Sequence, residues 1–183
     1  MGTGILLCGL NGVGKSTLGR ALAQRLDYRF IDSEDLFFPK ESPADPYGAQ
    51  RSRAEAEALL MREVEAYPDF VFASVKGDCP ALLPLIRWAV LLAVPRAERL
   101  RRVRERSSRR FGRRMLPGGD LYEREEEFLR FVEARPEDAV EEWLRSVRCP
   151  VIRADGTRPL AENVERIVEN INQIGEIPDE KRI

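Results

Sequence analysis

Gly9-Leu10-Asn11-Gly12-Val13-Gly14-Lys15-Ser16-Thr17 reads as glycine, four residues, then Gly-Lys-Ser, the spacing of a phosphate-binding loop. The flanking residues supply the context that this spacing requires. Ile5-Leu6-Leu7-Cys8 just before it is a continuous apolar run, the pattern of a strand buried on both faces. Leu18, Leu22 and Leu26 just after it recur at helical spacing. Strand, glycine-rich turn and helix together predict a loop whose successive N–H groups turn toward one concave point. Gly9, Gly12 and Gly14 permit the turn, and the amides of Asn11 and Val13 join it. A helix starting near Lys15 adds the positive end of its dipole. In that arrangement Lys15 reaches the β- and γ-phosphates of a nucleotide, the Ser16 hydroxyl faces Mg²⁺ and Thr17 approaches the α-phosphate.

Working outward, apolar runs and turn residues predict four more strands, at Tyr28–Ile31, Phe70–Ala73, Trp88–Val94 and Cys149–Arg153. Helical patterns lie between them, at 51–67, 81–86, 96–110, 121–134, 137–146 and 160–174. Alternation of this kind predicts a single α/β domain over residues 1–174, a three-layer sandwich around a five-stranded parallel sheet. Residues 175–183 read as a C-terminal tail. In open sheets of this type the carboxyl ends of the strands line the ligand crevice. Asp32, Ser33, Glu34 and Asp35 stand at the second such end. Asp32 is a candidate metal ligand or proton acceptor; the alternative reading makes Asp32 or Ser33 the N-cap of the next helix, with Glu34 and Asp35 favouring its dipole. Ser74, Lys76 and Asp78 stand at the third end, where Lys76 is a candidate substrate contact and Asp78 a helix cap. Residues 33–67 leave the sheet and return, passing through a proline-rich loop from Lys40 to Gly48, and form a candidate acceptor flap. Glu34, Asp35, Arg51 and Arg53 are its candidate acceptor contacts.

Charge is the second strong signal. Lys and Arg number 30 and Asp and Glu 31, so the net charge of −1 favours no partner by itself. Its distribution is uneven: ten arginines fall between Arg96 and Arg114, and nine acids between Glu123 and Glu142. The arginine-rich helix has only Leu100 and Val103 as clear apolar anchors, which packing alone does not explain. Phe111–Asp120 reads as a mobile cationic loop, with Asp120 capping the next helix. Arginine forks suit phosphate oxygens, and guanidinium planes stack on bases. Residues 106–120 are therefore a candidate lid, with Arg106, Arg110 and Arg114 closing on a nucleotide.

This order of motifs resembles the nucleoside-monophosphate-kinase-like branch of P-loop proteins, which includes adenylate, shikimate and gluconate kinases. Phe30–Asp35 is similar to the acidic second-strand tip of shikimate and gluconate kinases, and Ala73–Lys76 to the third-strand tip of gluconate kinases. Arg106–Arg114 looks like the lid, and Asp155-Gly156-Thr157-Arg158-Pro159 like the adenine loop. The resemblance implies an ATP- and Mg²⁺-dependent small-molecule kinase, a monomer or homodimer. It implies nucleotide contacts from Gly156, Thr157, Arg158 and Pro159, and catalytic roles for Lys15, Asp32, Arg106, Arg110 and Arg114. The flap lacks the acceptor signature of adenylate kinases, and the lid lacks the paired cysteines of zinc-bearing relatives, so the acceptor is left open between a hydroxyl and a phosphate.

Other classes fare worse. A nucleotide-binding ATPase module without an acceptor would carry acids at the end of an apolar strand, whereas Phe70–Ala73 ends in Ser74 and Trp88–Val94 in Pro95. Nucleic-acid binding is disfavoured because the chain is not basic overall and the arginine arm has only Phe111 for stacking. The chain contains no histidine, which excludes histidine-based catalysis and zinc sites of the Cys/His kind. Three widely spaced cysteines, Cys8, Cys79 and Cys149, and the lack of a basic leader or a ~20-residue apolar run predict a cytoplasmic protein with no membrane partner.

Overall fold

The computed structural model describes residues 2–39, 50–77 and 79–175. The proline-rich loop from Lys40, the capping role expected of Asp78 and the tail from Glu176 lie outside the described residues. Five strands, β1 (Gly4–Cys8), β2 (Arg29–Asp32), β3 (Phe70–Ala73), β4 (Ile86–Ala93) and β5 (Val151–Asp155), form one parallel sheet in the order β2-β3-β1-β4-β5. β1 is its middle strand, with Ile5 opposite Val71 on one side and Trp88 on the other. Every residue of β1 is buried, which is why it shows no alternation of polar and apolar positions.

Seven helices complete the layers: α1 (Lys15–Leu26), α2 (Ser33–Phe37), α3 (Arg53–Ala66), α4 (Arg96–Phe111), α5 (Tyr122–Ala134), α6 (Ala139–Leu144) and α7 (Leu160–Gly175). Successive residues of a strand point to opposite faces. Leu7 accordingly lies against α1 at Gly19, while Leu6 meets the Trp143 ring of α6 across Gly77. Helices therefore cover both faces of the sheet. α4 packs on α5 through Val103, Leu129 and Val132, so the arginine-rich and acid-rich segments lie side by side. No helix among the described residues is long and apolar enough to cross a membrane.

Several local expectations are corrected. The segment 81–86 is not an α-helix. It makes a single 3₁₀ turn, Leu83–Leu85, with Pro84 at its start, and Ile86 already belongs to β4 opposite Gly4. β2 and β5 run one and two residues further than their apolar runs, into Asp32 and Asp155, because ladder pairing with β3 and β4 extends them. α3 is entered through a capping box, Ser52 with Glu55, and buries Ala56, Leu60 and Val64; Ala54 and Ala58 face solvent. Asp120 does not cap α5, whose N-cap is Leu121; the Asp120 carboxylate is held by the Arg114 fork instead. The segment expected to be a loose cationic loop starts as a 3₁₀ turn, Gly112–Met115, closed by Leu116 N–H to the Arg113 carbonyl and Leu121 N–H to the Arg114 carbonyl.

Candidate active site

The phosphate-loop residues lie between the carboxyl end of β1 and the start of α1. Gly12 and Gly14 have φ of 85° and 97°, in the left-handed region that a side chain strains. Gly14 is also the N-cap of α1 and has no side chain, so no capping side chain takes the first amides of the helix. A Cβ on Gly14 would meet nothing within 4 Å, so the space above it is open, whereas a Cβ on Gly12 would collide with the Arg99 carbonyl of α4. Gly12→Ala is therefore expected to abolish nucleotide binding and to destabilise the fold by about 1–3 kcal/mol, from overpacking and strain together. Nucleotide titration and thermal melting of that variant check it.

The Lys15 ammonium folds back to donate to the Leu10 carbonyl at 3.1 Å. Burial pushes it down to about 8, opposed first by the negative charge of Asp32 and then, more weakly, by Glu34. The positive charge of Arg106, on α4, acts on it more weakly in the same sense as burial. Arg106 also lies 3.8 Å from the Glu34 carboxylate at the start of α2. The structure thus gathers Lys15, Asp32, Glu34 and Arg106 around one point at the carboxyl edge of the sheet. Asp32 is nearly buried, and its Oδ1 accepts from the Glu34 N–H at 3.1 Å, so Asp32 rather than Ser33 caps α2. Arg110 lies over the Phe111 ring and Arg114 is forked onto Asp120.

The loop after β5, the expected adenine loop, lies beside the phosphate-loop residues. The Gly156 N–H donates to the Ala93 carbonyl, and a Cβ on Gly156 would sit 3.0 Å from the Val13 carbonyl, so this loop packs directly on the phosphate loop. Thr157 donates twice to Asp155 Oδ1, Arg158 pairs with Glu162, and the Pro159 carbonyl accepts from Asn163 at the start of α7. The sequence reading missed Arg102, whose two Nη atoms each donate to the Gly156 carbonyl at 3.2 Å. Its signal was its position four residues before Arg106, one helical turn away on the same face. Asn163 was missed as well. It is buried on α7 and donates to the Asp155 carbonyl, which ties the loop to that helix.

Beside Leu10 lies a cavity of about 480 Å³. Leu36, Phe37, Ala56, Leu60 and Phe72 form apolar walls, while Ser33, Ser74, Lys76, Arg53 and Glu57 supply polar groups. Its far side is Arg135, Pro136 and Ala139. Of the expected acceptor contacts, Arg53 and Lys76 line it; Glu34, Asp35 and Arg51 do not. Arg51 instead donates to the Leu36 and Asp35 carbonyls and fastens α2 to the entrance of α3. The apolar walls were not read as a site from sequence, because in a linear pattern they are indistinguishable from core.

Cys8 serves as a small core residue. It is buried at the end of β1, its thiol is pushed up to about 12 by burial, and it contacts the Val90 carbonyl.

Residues 5–130 match the family described as "AAA domain". A shikimate kinase of Thermosynechococcus vestitus is 31% identical over 170 residues, covering 81% of this chain and 91% of that protein. The chain belongs to the nucleoside-monophosphate-kinase-like P-loop kinases. The uncharacterized protein YqaC of Bacillus subtilis is 28% identical over 177 residues, covering 92% of this kinase and 97% of that protein. The deoxyadenosine kinase of M. mycoides, solved with bound dATP, shares the kinase's fold with a TM-score of 0.59 at 14% identity. That match covers 94% of this chain and all of the other. The protein is a phosphotransferase built on the α/β P-loop kinase fold, and nucleotide is its phosphoryl donor.

Proposed function

We propose that the kinase transfers the γ-phosphoryl group of ATP to a small molecule held in the 480 Å³ cavity. The observation that supports the reading is that the charges of Asp32 and Arg106 act on Lys15, while Leu10 of the phosphate loop and Ser33, next to Asp32, line that cavity. Amides of Gly9–Thr17 and Lys15 hold the polyphosphate; Gly156–Pro159 and Arg102 hold the base. Ser16 and Asp32 would hold Mg²⁺, which supplies compensation for charge on the phosphate oxygens. A hydroxyl and a carboxylate are the hard oxygen donors that suit this ion, and among the described residues no group of three or more His, Cys, Asp or Glu side chains competes for it. Asp32 keeps one carboxylate oxygen beyond its capping bond to orient the acceptor. Arg106 offsets charge on the transferring group, with Arg110 and Arg114 joining as residues 106–120 close as a lid. Residues 33–67 form the acceptor flap. Apolar walls beside Lys76, with Arg53 paired to Glu57 at 2.7 Å, favour an acceptor that combines an apolar face with an anionic group.

Thermal-shift titration tests this reading with Mg²⁺–AMP-PNP and a panel of hydroxy acids, sugar acids, nucleosides and nucleoside monophosphates. The expected result is one class that stabilises only in the presence of nucleotide, by at least ~2.7 kcal/mol at 100 times its Kd. ATP consumption at full rate with no added acceptor would instead make the protein an ATPase module.

A further inference from the structure

Arg99 lies on the stripe by which α4 faces inward, at 99, 103, 107 and 111, and is 1% exposed. A buried guanidinium persists only when paired and hydrogen-bonded. Its Nη1 donates to the Asn11 carbonyl of the phosphate loop at 3.1 Å, and its Nη2 to Glu137 Oε1 at 2.5 Å. Its Nε is buried with no partner, so Glu137 is the carboxylate that compensates it among the described residues. The Asn11 carbonyl and the Gly12 N–H belong to one planar peptide unit, and no peptide in the described chain is cis, so the two groups point in opposite directions. Holding the carbonyl on α4 therefore aims the Gly12 amide away from α4. The Arg99 carbonyl also approaches Gly12 closely, leaving no room there for a side chain. At the far end of the bridge, Glu137 sits in the connection between α5 and α6, beside Arg135, Pro136 and Ala139 of the cavity wall.

We propose that Arg99 is a positioning residue: pinned by Glu137, it orients the Asn11–Gly12 peptide so that the Gly12 amide meets the polyphosphate, and it ties that amide to the wall of the acceptor cavity. This rests on the phosphate-loop reading above. The test is calorimetric titration of Mg²⁺–AMP-PNP into the wild-type chain, Glu137→Gln, Arg99→Met and the double variant, with thermal melting of each. Glu137 is half exposed, so Glu137→Gln decides the matter even where Arg99→Met fails to fold. Both single variants are expected to weaken AMP-PNP about tenfold or more. The double variant is expected to bind no worse than the weaker single, because the two residues act as one unit. Arg96→Ala, which removes a contact of 4.0 Å to Glu137, leaves the affinity unchanged. A folded Glu137→Gln that binds within twofold of wild type, with or without a lower melting temperature, overturns the proposal, as do additive effects in the double variant. Failure of the wild-type chain to bind AMP-PNP removes the phosphate-loop reading itself, and this proposal with it.

Discussion

Lys15→Met is expected to lower turnover by ~10³-fold or more while making the protein more stable at neutral pH. The two effects share one cause. The Lys15 ammonium is partly buried and donates to the Leu10 carbonyl, where it is less well solvated than in water. Its affinity for a proton falls from 10.5 to about 8, so the folded state binds fewer protons than the unfolded chain between those values. Stability must then rise with pH across that window, and the charged form is a net cost below it. At pH 7 the cost is about 3 kcal/mol, or roughly 6–12 °C in melting temperature for a chain of this size. The difference between Lys15→Met and wild type should be largest below pH 8 and vanish toward 10.5, which melting curves at a series of pH values will measure. A phosphate-binding lysine must also be charged to bind anions, so nucleotide affinity of the wild-type protein is expected to fall as pH rises through about 8. If Lys15→Met melts no higher than wild type at pH 7, the ammonium is better solvated than its position implies.

Arg106→Ala is expected to reduce kcat by about 10²- to 10³-fold with almost no change in melting temperature. Among the described residues its ion pair, to Glu34 at 3.8 Å, joins two half-exposed side chains, and such pairs contribute little to stability. The expected effect on rate rests on its charge, which acts on Lys15, and on its pairing with Glu34 at the start of α2. Arg106→Lys should not restore the rate, since an ammonium lacks the fork that meets two phosphate oxygens. A variant that raises only the KM for nucleotide would make Arg106 a ground-state contact instead. Arg114 starts from a different position. Its fork is committed to Asp120, whose carboxyl it holds below the usual carboxylate range, so joining the nucleotide requires exchanging that partner.

What could be read from residues alone was whatever local chemistry dictates. Gly-x4-Gly-Lys-Ser between an apolar run and a leucine-spaced helix specifies strand, loop and helix, because that backbone path tolerates few other residues. Apolar runs marked the five strands, of which β1 and β3 are buried throughout, and Asp32 was found because it follows one of them. Arg99 and Glu125 show where such reading ends. Both are charged residues in surface-like sequence, yet both are buried. The buried stripe of α4 includes Arg99 and Ser107, so periodicity of apolar residues could not show which side faces inward. Only the tertiary structure brings Glu137 from 38 residues away to the guanidinium, and the Asn11 carbonyl from 88.

The cavity has the same character. Leu36, Phe37, Leu60 and Phe72 are apolar positions on three elements, and nothing local distinguishes the wall of a pocket from the inside of a core. The position of Asp120 depended on competition: a cap needs one backbone amide, but the Arg114 fork offers charge as well, and the fork won. The sequence by itself determined the phosphate loop, the parallel sheet and the arginine arm, since each is encoded within a few residues of chain. The tertiary structure decided which arginine is buried against the loop and what lines the cavity, because these depend on residues that meet only when the layers pack.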